Sequence, residues 1–140
     1  MKRQDIEITE FQQEGYKPLV DFNTWRVAVL KYCEDLKIDN IHTMQKHNET
    51  DEIFVLLEGR GVLFSGGNNQ TPEDICAVVM EKHKIYNVKK GVWHNHILSE
   101  DGEILIVENS NTSDDNSPIV ELTQIQIETL NKQEGANEKI

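Results

Sequence analysis

Residues 45–59, QKHNETDEIFVLLEG, set a histidine and a carboxylate in front of the apolar run Ile53–Leu57 and close it with a glycine. Alternate side chains along a strand share a face. If Glu52 opens a strand facing inward, Phe54 and Leu56 line the same face above it, so an apolar floor lies beneath a charged group. The same alternation puts Gln45 and His47 on one face and Met44 and Lys46 on the other. Some forty residues on, WHNH at 93–96 projects His94 and His96 from one face of a second strand, with Asn95 opposite. Imidazoles and a carboxylate carried on rigid strands are the raw material of a metal site.

Around these stretches, strand signals dominate. Trp25–Tyr32, Glu52–Leu57, Val62–Phe64, Cys76–Met80, Lys84–Val88 and Ile104–Glu108 are short β-branched or aromatic runs. Turn clusters at 58–61, 65–72, 89–91 and 99–102 separate them. Regular spacing of this kind predicts a sandwich or barrel, not a βαβ fold. Residues 1–24 form an N-terminal extension or edge segment with Pro18 as a break, and 25–117 form the barrel. Thr123 followed by Gln126 reads as a capping box, which predicts a C-terminal helix within 118–133 that ends near Lys132. Ile127 and Leu130 share its apolar face, extended by Leu122 or Ile125. Residues 134–140, EGANEKI, are expected to be a disordered tail.

The chain of 140 residues fits one domain. Its 25 acidic against 14 basic residues give a net charge of −11, which repels phosphates and argues against nucleic acid or anionic membrane as partner. Cys33 and Cys76 form no CxxC pair, which predicts two reduced thiols. MKRQDIEITEF lacks the apolar core of a signal peptide, and Ile53–Leu57 is about a quarter of a membrane span. A soluble cytoplasmic protein is the expectation.

Gln45-Lys46-His47, followed by Glu52 and Gly59, resembles the first motif of the cupin family, in which HxH, a glutamate and a glycine recur at these spacings. Lys89-Lys90-Gly91-Val92-Trp93-His94 resembles the second, built on PxGxxH. About 30 residues separate Gly59 from Gly91, the compact spacing of small single-domain cupins, and the resemblance covers roughly residues 41–109. It implies an all-β, single-domain cupin-type jelly-roll barrel around a divalent metal ion. Carried over residue by residue, His47, Glu52 and His94 match metal ligands of the family. Gln45 stands where a histidine is usual, Lys89 replaces the proline, Leu98 replaces a final asparagine, and neither motif begins with its expected glycine.

Two imidazoles and one carboxylate form an open set that suits Fe, and also Mn, Ni or Zn. Gln45 offers a weaker amide oxygen, to the ion or to its water. His96 either completes the site or acts as an acid or base beside it. Glu49, at HxE spacing from His47, is the alternative to Glu52. His42 faces away from His47 and reads as structural, and His83 reads as solvated. Among ligand contacts, Phe54, Leu56, Tyr86 and Trp93 follow from facing alone. Arg26, in an otherwise apolar strand, must be edge-exposed or paired, and inside a barrel it would make a bidentate partner for a substrate carboxylate. Lys89 and Lys90 read as solvated turn residues.

The family hosts oxygenases, isomerases, epimerases, decarboxylases, lyases and plain binding modules, so fold does not choose among them. The leading expectation is a metal-dependent cupin acting on a small anionic or sugar-derived metabolite by oxygenase, isomerase or lyase chemistry. The alternatives are a non-catalytic small-molecule sensor and a metal-free sugar isomerase or epimerase using His47 or His94 as base. Exposed sheet edges and the N-terminal extension suggest a homodimer.

Overall fold

The computed structural model describes residues 5–138, with side chains as far as 135. Strands follow in chain order as β1 Gly15–Phe22, β2 Trp25–Lys31, β3 Thr43–Gln45, β4 Glu52–Glu58, β5 Gly61–Ser65, β6 Cys76–Val79, β7 Tyr86–Val88, β8 His94–Leu98, β9 Glu103–Asn109 and β10 Ile119–Glu121, before helix α1, Gln124–Glu138. Two five-stranded sheets result, ordered β1-β2-β9-β4-β7 and β10-β3-β8-β5-β6. The pairings are antiparallel throughout, and β9 returns between β2 and β4. Such long-range returns mark a jelly roll, here an all-β barrel whose sheet edges stay open.

The predicted alternation is the one observed. Along β4, Glu52, Phe54 and Leu56 are buried while Ile53, Val55 and Leu57 are partly exposed. Ile104, Ile106 and Glu108 are buried in the same rhythm along β9. Ala28, Leu30, Phe54, Leu56, Leu63, Leu98, Ile104 and Ile106 therefore meet in a core between the sheets. Each fully buried large apolar side chain contributes about 1.5–3 kcal/mol. A second core lies on the other face of the second sheet, where Met44, Val62, Phe64, Trp93 and Ile97 meet Leu122 and Leu130. The capping box is present, with Thr123 N–H donating to Gln126 Oε1 at 2.8 Å and Gln126 N–H to Thr123 Oγ1 at 3.2 Å. Leu122 extends the buried face of the helix, whereas Ile125 is exposed.

The motif glycines have distinct reasons. Gly59 has φ +76°, and a Cβ there would lie 2.6 Å from Ser99 Oγ and 2.7 Å from Gly102 Cα. Gly91, at φ +81°, turns the chain so that its N–H donates to the His47 carbonyl at 2.8 Å, tying the two motif regions together.

The sheets extend beyond the expected span of 25–117. β1 pairs along β2, and Pro18 does not break it: the register shifts between Pro18 and Val20, at an edge where proline costs no ladder bond. β10 adds to β3 where the helix was expected to begin. At the other end α1 continues past Lys132, so the disordered tail expected from residue 134 is replaced by helix to Glu138. Glu134 is buried and lies 3.4 Å from Arg60 Nη1, which holds that turn to the barrel. The rest of that tail, 139–140, and the start of the N-terminal segment, 1–4, lie outside the described residues. No helix among the described residues is long and apolar enough to cross a membrane.

Candidate metal centre

Three neighbouring strands of the first sheet set a row of charged groups on its inner face. Arg26 of β2 lies opposite Glu108 of β9. One step beyond the Ile53–Val107 pair, Glu52 of β4 comes beside Glu108. The second sheet supplies the imidazoles, since His94 opens β8 opposite Gln45 of β3 and His47 follows β3 by two residues.

His47 Nε2 and His94 Nε2 each lie 3.0 Å from the same atom, Glu52 Oε1. Ligand atoms of the three residues all fall within 4.8 Å of one another. Their hydrogen bonds show which lone pairs converge. His94 Nδ1 lies 2.9 Å from the Val92 carbonyl, which can only accept, so the ring carries its proton on Nδ1 and turns a lone pair at Nε2 toward Glu52. His47 Nδ1 lies 2.7 Å from Ser117 Oγ, and that hydroxyl donates to Asn116 Oδ1 at 3.1 Å. It therefore accepts from His47, whose Nε2 lone pair faces the same way. Two lone pairs and a carboxylate oxygen at this spacing repel unless a positive charge, proton or metal, sits among them. The donor set fits a divalent cation, and the Ser117 and Val92 contacts orient the rings as outer partners of a metal-bound histidine do.

The electrostatics sharpen this. Burial works against the charge on Glu52, but a positive charge shared with the two imidazoles, a proton in the metal-free protein, together with the hydrogen bond from Glu108 outweighs it and holds its carboxyl well below the usual range. Glu108 moves the other way, to about 7, first through burial and then through the hydrogen bond and charge of Glu52, with Arg26 opposing. Glu108 thus holds the proton of the pair and donates it to Glu52. Arg26 Nη2 donates to Glu108 Oε2 at 2.8 Å and to the Thr112 carbonyl at 2.9 Å. Its guanidinium stands 5.9 Å from the Tyr16 ring centre. Burial, and after it the charge on Glu108, raises the Tyr16 hydroxyl above its ordinary value.

A cavity of about 320 Å³ opens over these groups, and Thr112, Ser113, Asp114 and Ser117 of the 110–117 loop form one wall. This volume suits a small metabolite.

The candidate residues divide clearly. His47, Glu52, His94, Gln45, His96 and Arg26 all line the cavity. Gln45 commits its amide nitrogen to the Ser117 carbonyl at 2.9 Å. His96 has Nδ1 buried without a hydrogen-bond partner, and burial lowers its pKa to about 4. Arg26 is paired, as an inward arginine must be, but its partner is Glu108. Phe54, Tyr86 and Trp93 do not line the cavity, which corrects their expected ligand contacts. Phe54 sits in the core with its ring edge toward His94, centroids 6.1 Å apart. Tyr86 lies in β7, its hydroxyl accepting from Glu81 N–H at 2.8 Å. Trp93 falls on the opposite face of the second sheet from His94, donating to the Asn69 carbonyl at 2.8 Å with Lys46 Nζ 4.7 Å from its ring centre. Leu56 likewise packs in the core between the sheets. Glu49 accepts from Asn111 at 3.3 Å in an exposed loop, away from the imidazoles. His42 and His83 are exposed. Glu108, Tyr16 and Ser117 were not anticipated, although Glu108 stands in phase with Ile104 and Ile106 in a strand the sequence predicts.

No family model and no curated protein matches the chain. Among solved structures it is similar to a cupin-2 domain protein from Shewanella frigidimarina, 22% identical over 71% of this chain and 84% of that one, at TM-score 0.48. Pac13 of Streptomyces, a nucleoside dehydratase, is 11% identical over 81% of this chain and 85% of that one, at TM-score 0.54. KdgF from Halomonas sp. is 11% identical over 71% of this chain and 80% of that one, at TM-score 0.51. The likeness to Pac13 and KdgF, at these identities, is one of fold.

Proposed function

With a small cupin-type barrel as the frame, we propose that this protein binds one divalent metal ion through His47, Glu52 and His94 and acts on a small sugar-derived metabolite. The observation that carries the proposal is the convergence of both Nε2 atoms on one oxygen of Glu52, each 3.0 Å away. Fe, Mn, Ni and Zn all suit two imidazoles and a carboxylate. When bound, such an ion acts as a Lewis acid toward a hydroxyl or carbonyl oxygen and acidifies the adjacent C–H or water.

Residues of the chain divide the remaining work. His96, held neutral by burial beside the three ligands, presents an uncharged imidazole that can hydrogen-bond a hydroxyl and is only a weak base. Glu108 holds a proton against Glu52, and Gln45, Thr112 and Ser113 offer hydrogen-bonding groups to hydroxyls. Of the two substrate classes expected, the hydroxyl-bearing one fits better. The guanidinium of Arg26 is already engaged by Glu108, while the carboxylates of Glu52 and Asp114 oppose an anion. That Pac13 of the same fold is a nucleoside dehydratase supports a substrate with a sugar ring. The reading includes a second copy of the chain as partner and a cytoplasmic setting, in which Cys33 and Cys76, both free, stay reduced.

Elemental analysis of protein purified without a histidine tag or chelator tests the proposal. About one equivalent of metal is expected, and it should be lost in His47→Ala and His94→Ala; retention by both variants overturns the ligand assignment. Incubation of the metal-loaded protein with nucleosides, sugars and sugar acids, followed by proton NMR in D2O, tests the chemistry. Turnover or C–H exchange abolished by His94→Ala supports an enzyme, whereas binding without either makes the protein a non-catalytic module.

A further inference from the structure

β3 and β8 share a single registered pair, Gln45–His94. Beyond it the strands part, and Asn95 stands in for the missing ladder. Its amide donates to the Thr43 carbonyl at 2.9 Å and accepts from His96 N–H at 2.7 Å, so two backbone groups are satisfied without closing the sheet. The room kept open in this way is a recess of about 180 Å³, lined by Thr43, Gln45, His94, Asn95, His96 and Ile119.

Register places the recess on the face that carries the imidazoles. Ile119, Gln45 and His94 form one row across β10, β3 and β8. Thr43 and His96 lie two residues along from Gln45 and His94, so they share that face. Gln45, His94 and His96 also line the larger cavity. The two spaces therefore meet over the candidate metal centre, with one amide and two imidazoles as their common wall.

Their chemistry differs. Arg26, Glu52, Glu108 and Asp114 line the larger cavity alone. To the common wall the recess adds only Thr43, Asn95 and Ile119, none of them ionisable, and the Asn95 amide is already committed. A carboxylate or phosphate seated there would find no lysine or arginine to pair with. Ile119 is 55% exposed and loses apolar surface to any group placed against it. His96 Nδ1 is buried with no hydrogen-bond partner, so Nε2 is the nitrogen that this ring can offer a ligand where the two spaces join. A free monosaccharide in the larger cavity leaves the recess to water, whereas a sugar bearing an uncharged substituent fills both.

We propose that the substrate has two parts: a sugar ring seated in the larger cavity, and an uncharged, partly apolar substituent on that ring seated in the recess between β8, β3 and β10. The inference rests on the sugar-derived reading above and narrows it to glycosides, whether O-linked or N-linked as in a nucleoside.

Calorimetric titration of the protein as purified with ribose and uridine, and with glucose and phenyl glucoside, is the test. In at least one pair the substituted sugar is expected to bind at least about 10-fold more tightly than the free one, and the pair that shows it tells the N-linked from the O-linked source. Ile119→Trp, which fills the recess from an exposed position, should bring that ratio close to one. Ile119→Lys, which an edge strand tolerates, should weaken the substituted sugar and strengthen ribose 1-phosphate or glucose 1-phosphate. A ratio near one in the wild type, or a preference that both variants retain, overturns the inference and leaves the sugar reading standing. A wild type that binds neither member of either pair overturns that reading, and the inference falls with it.

Discussion

Replacing Arg26 by alanine should destabilise the metal-free protein by an amount that grows with pH. The guanidinium meets Glu108 at 2.8 Å with side chains only 16% and 4% exposed, and it also holds the Thr112 and Ser110 carbonyls at 2.9 and 3.4 Å. Removing one partner of a buried pair costs about 3–5 kcal/mol when the other is left charged. Whether Glu108 is charged depends on pH. Its folded pKa is raised from 4.5 to about 7, so the folded state binds its proton more tightly than the unfolded chain does. That contribution is complete below 4.5 and is lost as pH rises through 7, by about 3 kcal/mol in the wild type. Arg26 opposes the rise, so its loss leaves the ionised carboxylate facing Glu52 with no counter-charge. Urea unfolding of chelator-treated protein should show a cost for Arg26→Ala of about 1 kcal/mol at pH 5, where Glu108 is neutral and only hydrogen bonds are lost. At pH 8 the cost should be about 2 kcal/mol, since the variant keeps losing stability over the one pH unit above 7 in which the wild type no longer does. Adding Glu108→Gln should recover most of the difference at pH 8. Equal costs at the two pH values, or no recovery, would refute the reasoning.

Ser117→Ala removes the acceptor that orients His47, and titration calorimetry should show metal affinity falling about 10–100-fold while the melting temperature of the metal-free protein moves little. Gly59→Ala places a Cβ 2.6 Å from Ser99 Oγ at a positive φ, and chemical denaturation should show a loss of about 2–3 kcal/mol; a neutral effect would mean that the 99–102 turn can move aside. His96 is depressed from 6.5 to about 4 by burial, so its contribution is present above 6.5 and is lost as pH falls through 4. His96→Phe should therefore flatten the acid limb of the stability profile by up to about 3 kcal/mol, and an unchanged limb would place the titration elsewhere.

Much of the site could be read before the fold was known because it obeys the two-residue period of a strand. Glu52, Phe54 and Leu56 share a face in the sequence and in the barrel. His94 and His96 likewise share a face, and that alternation works against the cavity contact expected for Trp93, which lies on the far face. Glu108 carried an equal signal, an acid in phase with Ile104 and Ile106, but its importance comes from Arg26 and Glu52 on either side. Those neighbours belong to strands distant in sequence, and pairing of that kind is a tertiary choice. Ser117 and Thr112 lie in the polar loop after β9, whose path depends on contacts such as His47 to Ser117, 70 residues apart. The far end of α1 depends in the same way on a long-range partner, Arg60 meeting Glu134.

The account stands on a shared cation between two imidazoles from one sheet and a carboxylate from the other. Calorimetric titration of chelator-stripped protein with Zn, Mn, Ni or Fe(II) salts is its most direct test. One equivalent should bind in the wild type, with binding abolished in Glu52→Gln and His94→Ala although both variants remain folded. Full-affinity binding by either variant, or no uptake of any of these ions by the folded wild type, would contradict it.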